Sequence, residues 1–67
     1  MKATKLTIFR DDLIKEPYYC LQIEGIDYIG LIEIERNEAI KFKNKIKYQE
    51  TIIYKEAGFI TRTYEII

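Results

Sequence analysis

Histidine, serine, valine and tryptophan are all missing from this 67-residue chain, and it holds one cysteine, one proline and three glycines. Each absence closes a class of chemistry. Without histidine or serine, neither a Ser-His-Asp triad nor a Cys-His pair can be assembled within one chain. Without histidine, and with Cys20 alone, the common zinc patterns are absent and an intramolecular disulfide is impossible. The three glycines, Gly25, Gly30 and Gly58, lie far apart, so there is no glycine-rich phosphate loop. Cys20 falls in an apolar stretch with no base beside it and reads as a small buried hydrophobe. Asp11-Asp12 and the pair Glu33 and Glu35 read as turn and surface acids rather than as a cation site. The chain is expected to be non-enzymatic and to carry no cofactor and no metal.

No charge of one sign dominates: eleven basic residues face eleven acidic ones. A broad polyanion-binding surface is therefore not expected. The charges are arranged in blocks. Residues 1 to 10 carry three positive charges and residues 11 to 38 sum to minus six; residues 39 to 49 hold four lysines and no acid. There is no run of 18 apolar residues to span a bilayer and no leader-like apolar core near Met1. A cytoplasmic location is expected, and one unpaired thiol agrees with a reducing compartment. Fourteen isoleucines against no valine point to an AT-rich coding sequence. A small accessory protein of a bacterium or phage of low GC content fits that usage.

What is present is strand chemistry. Isoleucine, tyrosine, phenylalanine and threonine dominate, and all suit a pleated, half-buried surface. The expected fold is mostly β: a small antiparallel meander or curled barrel-like sheet of five to six short strands. Lys2 to Arg10 forms the first, ended by Asp11 and Asp12. Asp11 caps at most one helical turn through Lys15, because Glu16 precedes Pro17. Tyr18 to Glu24 and Asp27 to Glu35 form a hairpin around Gly25-Ile26, with Ile23 opposite Tyr28, Leu21 opposite Gly30 and Tyr19 opposite Ile32. Glu50 to Lys55 and Phe59 to Ile66 flank a three-residue loop, Glu56-Ala57-Gly58, with glycine in the bulge position.

Between these hairpins lies the most regular stretch of the chain, where Lys41, Lys43, Lys45 and Lys47 alternate with Ile40, Phe42, Asn44, Ile46 and Tyr48. Read with a period of two, it is a strand reached through a three-residue loop, either Arg36 to Glu38 or Asn37 to Ala39. Glu33 then opposes Lys41, or Glu35 opposes Lys41 and Glu33 opposes Lys43, while Ile40, Phe42, Ile46 and Tyr48 supply the buried side. Neither loop ends in glycine. The alternative is an α+β fold with one helix at about 38–57, capped by Asn37 and Gly58, with Ala39, Phe42, Ile46, Ile53 and Ala57 as its stripe.

A chain this short buries only about 60% of the surface that its unfolded form exposes. With no disulfide and no metal, self-association is the remaining source of stability, so a dimer or larger assembly is expected. On the hairpin of Tyr18 to Glu24 and Asp27 to Glu35, Tyr18, Cys20, Ile29 and Leu31 make the face opposite the core apolar as well. They are the candidate protein-interface residues for a β-rich protein-interaction or oligomerisation module. The partner is the chain itself or another protein. The alternative is single-stranded nucleic-acid binding through the strand 39–48. There Lys41, Lys43, Lys45 and Lys47 would stand about 7 Å apart on one face, near the spacing of phosphates in a single strand.

Overall fold

A computed structural model describes residues 2–13 and 15–67. The alternating stretches resolve into five strands and one short helix: β1 (Lys2–Asp11), β2 (Tyr18–Glu24), β3 (Ile29–Ile34), α1 (Arg36–Ile40), β4 (Ile46–Tyr54) and β5 (Phe59–Ile66). All strand pairs are antiparallel, and they form one open sheet in the order β3-β2-β1-β5-β4. The fold is mostly β, as the composition requires, and the sheet does not close into a barrel. The N-terminal strand is central, flanked by β2 and β5.

The β2–β3 hairpin keeps the expected faces but not the expected register. Its loop is Ile26-Asp27, closed by a bond from the Gly25 N–H to the Tyr28 carbonyl at 2.9 Å. Ile23 therefore opposes Gly30, Leu21 opposes Ile32 and Tyr19 opposes Ile34. The slip equals two residues, so every side chain stays on the face assigned to it. A Cβ on Gly25 would stand 2.6 Å from Cε1 of Tyr28, which shows that the ring lies across this glycine and holds the turn one residue later.

The β4–β5 loop is one residue longer than expected, spanning 55–58. The Gly58 N–H donates to the Tyr54 carbonyl at 2.9 Å, and Gly58 adopts φ of +78°. Glycine sits in the left-handed position, as the sequence implies, inside a four-residue loop. At the end of β1 the Leu13 N–H donates to Asp11 Oδ1 at 2.8 Å, a local Asx-turn. The helical turn expected from Asp11 to Lys15 includes Ile14, which lies outside the described residues.

The segment after β3 departs most from expectation. No hairpin joins β3 to β4; they are the two opposite edges of the sheet. Residues 35–45 cross one face of the sheet between them. The crossing starts with α1 and continues in tight turns whose N–H groups bond three residues back: Lys41 to Glu38, Phe42 to Ala39, Lys43 to Ile40 and Lys45 to Phe42. Near-threefold geometry puts Ala39 and Phe42 on one side, followed by Ile46 as β4 begins. These three pack with Leu6, Leu21 and Ile34, and with the half-buried Ala3, Tyr19 and Ile66. Ile40 and Tyr48, expected on the buried side, are exposed. The helix expected at 38–57 is likewise replaced by a five-residue helix that starts after Glu35, without a side-chain cap, rather than after Asn37, because β-branched and aromatic residues from Ile46 onward pair with β5.

The core lies between the crossing segment and one face of the sheet, and it is small. Among the described residues four hydrophobic side chains are buried, with Leu6 the most enclosed at 2% exposed. Ile66 packs against this core and the Ile67 N–H donates to the Lys45 carbonyl at 2.7 Å, which ties the crossing segment to β5.

Candidate functional site: a bare apolar sheet face

Strand alternation assigns each residue to the covered or the bare face of the sheet. On the bare face the register builds rows across the strands. One row runs Tyr18, Phe9, Thr61, Ile52 through β2, β1, β5 and β4; the next holds Asp11, Phe59 and Tyr54. The Tyr54 and Phe59 rings stack at 4.4 Å between centroids, and Phe9 meets Phe59 at 6.3 Å, tilted by 40°. Thr61, in the middle of this group, is the buried polar residue, at 6% exposed. An aromatic patch thus spans four strands. Beside it Phe9, Asp11, Tyr18, Cys20, Glu33 and Phe59 line an open recess of about 370 Å³.

The four interface candidates read from the sequence all lie on this face. Tyr18 and Cys20 sit at the aromatic end, in register with Phe9 and Thr7. Ile29 and Leu31 sit on the edge strand β3, at 67% and 72% exposed. The patch adds Phe9, Ile52, Tyr54 and Phe59, which sequence reasoning missed. Their signal was the alternation within β1, β4 and β5, which places these side chains together only once β5 is known to lie beside β1.

Toward the other end the bare face turns polar. Glu65 stands in register between Lys5 of β1 and Lys47 of β4. Lys47 is thus the lysine of the alternating stretch that lies on a strand, and its register partner is Glu65. Lys41, Lys43 and Lys45 lie in the turns of the crossing segment, all exposed. They do not oppose Glu33 or Glu35, because β3 pairs with β2 and has no contact in register with this segment. The straight row of lysines at strand spacing, on which phosphate tracking was founded, is not formed.

Cys20 is half-buried and unpaired. Burial pushes its thiol above the ordinary range, and the Glu33 carboxylate beside it adds to the rise. A thiol held in its protonated form is a poor nucleophile. Among the described residues no three of His, Cys, Asp and Glu come together in a group suited to a metal ion. No helix among them is long and apolar enough to cross a membrane. Comparison with protein-family models, with curated proteins and with solved structures finds no match to this chain, so the functional reading rests on its own geometry.

Proposed function

We propose that the protein is a non-enzymatic, β-rich interaction module that works by self-association, as a small accessory protein of a bacterial or phage system. The single observation that carries this reading is excess surface. A compact monomer of 8.1 kDa is expected to expose about 4,500 Å². This chain exposes 5600 Å², an excess of about 1,100 Å² over that scaling. A standard protein interface removes about 800 Å² from each partner, so the excess is the size of one interface per chain. Its Cα radius of gyration of 12.3 Å likewise exceeds the roughly 11 Å expected of a compact chain of this length.

Two-layer packing explains why a partner is needed. A sheet must bury an apolar face against a second layer, and here α1 with its following turns supplies that layer for part of one face only. Equal numbers of acidic and basic residues mean that two copies meet without net repulsion. Cytoplasmic location suits the one free thiol. The raised Cys20 thiol and the lack of a histidine or serine partner favour binding over catalysis. Light scattering coupled to gel filtration tests the reading. A dimer or larger species is expected at micromolar concentration, and a strict monomer up to about 100 μM, where even weak specific pairs assemble, removes it.

A further inference from the structure

We infer that the partner layer is a second copy of this chain, seated bare face to bare face over the aromatic patch of Phe9, Tyr18, Ile52, Tyr54 and Phe59. This deepens the self-association reading and rests on it. The choice of surface follows from comparing the two faces. On the covered face, the apolar side chains left exposed are interrupted by guanidinium groups: Arg62 lies in register between Ile8 and Thr51, and Arg10 beside Ile60. On the bare face the corresponding rows run Tyr18-Phe9-Thr61-Ile52, with no charge, and Asp11-Phe59-Tyr54, with one carboxylate at its β1 end. Asp11, half-buried, and Glu33, exposed, line the recess beside these rows. A continuous apolar and aromatic centre with a charged rim is the anatomy of a protein interface.

The occupant follows from area and charge. The whole-chain excess of about 1,100 Å² leaves room for one interface per copy, and a pair with one twofold axis uses the same patch on both copies. The polar end of the same face carries Lys5 and Lys47 on either side of Glu65, so it offers both signs to a copy of itself. Packing two such sheets gives a sandwich about 10 Å between layers, the arrangement that hides both aromatic patches.

Ile52 and Ile53 are neighbours on the edge strand β4 and point to opposite faces, at 38% and 60% exposed. Both substitutions, Ile52→Glu and Ile53→Glu, are made and their masses measured by light scattering over a dilution series. Ile52→Glu is expected to raise the dimer dissociation constant by about 100-fold or more, since each dimer carries the charge twice. Ile53→Glu is expected to leave it within about threefold, as for a substitution outside an interface. If wild type is a dimer but Ile53→Glu dissociates it as strongly, or Ile52→Glu does not, self-association stands and this interface is wrong. If wild type is a monomer, both fall. A readout without any variant covers the case in which Ile52→Glu does not fold: alkylation of Cys20 in wild type slows as protein concentration rises through the dimer transition. A rate independent of concentration there overturns the proposed face.

Discussion

Replacing Gly58 with alanine isolates the cost of one left-handed backbone position. Gly58 has φ of +78°, and a Cβ built on it meets nothing within 4 Å. Steric crowding by other residues therefore contributes nothing, and the loss is purely conformational. An L-residue held in that region costs about 1–2 kcal/mol, while alanine recovers roughly 0.5 kcal/mol by restricting the unfolded chain. A net loss of about 1 kcal/mol is expected, lowering the melting temperature by about 4–8 °C for a chain of this size. Asparagine tolerates the left-handed region better, so Gly58→Asn should lose about half as much. The other glycines are controls of different kinds. Gly30 has only ordinary contacts, Ile23 Cγ1 and Tyr28 Cε2 both at 3.6 Å, so Gly30→Ala is expected to be neutral or stabilising by about 0.5 kcal/mol. Gly25→Ala must displace the Tyr28 ring from 2.6 Å and falls between the two. Urea unfolding followed by circular dichroism at one fixed protein concentration measures all four, because association links stability to concentration. A Gly58→Ala variant as stable as wild type, or a Gly30→Ala variant that loses more than it, refutes the loop geometry.

Leu6→Ala removes the most enclosed side chain of a four-residue core and should cost about 3 kcal/mol, a large part of the roughly 3–10 kcal/mol expected for 67 residues. Thermal melts followed by far-UV circular dichroism should show the midpoint lowered by more than about 10 °C, and a cooperative melt close to wild type would place the core elsewhere. Lys41, Lys43 and Lys45 are exposed in turns, so their joint replacement by glutamine should move stability by no more than about 0.5 kcal/mol. Loss of folding in that variant would restore the lysine-carboxylate ladder in place of the crossing segment. At Cys20 the folded state keeps its proton to a higher pH than the unfolded chain, so the unfolded state binds fewer protons as pH rises past the ordinary thiol value. Stability should thus fall more steeply from pH 8 to pH 10 in wild type than in Cys20→Ala. Equal slopes in denaturant titrations would contradict the half-buried, Glu33-facing thiol.

Strand identity and face were legible because the side-chain period of two survives a two-residue slip in register. The β2–β3 hairpin slipped by two in register, yet Tyr19, Leu21 and Ile23 still share the face opposite Tyr18, Cys20 and Ile29. Turn position was less legible, since the Tyr28 ring across Gly25 decides it and no local composition reveals that contact. The path from β3 to β4 was misread for a definite physical reason. Residues 40–48 alternate by type with a period of two, but the backbone bonds three residues back through Lys45, and only Phe42 and Ile46 of the expected buried set pack inward. The absence of glycine from either proposed loop was the warning that a tight reversal after Glu35 was not encoded.

That misreading bears directly on the candidate site. With β3 paired to β4, β3 would have been an interior strand and the lysines would have stood beside Glu33 and Glu35. With 35–45 crossing the covered face, β3 and β4 become the two edges and β5 comes to lie beside β1. Only that order brings Tyr18, Phe9, Thr61 and Ile52 into one row. Among the described residues the crossing segment is the one layer laid over the sheet, and it serves the face holding Leu6, Leu21 and Ile34. The same eleven residues that complete one side therefore leave the aromatic side bare, and substitution at the edge pair Ile52 and Ile53 tests whether a second copy covers it.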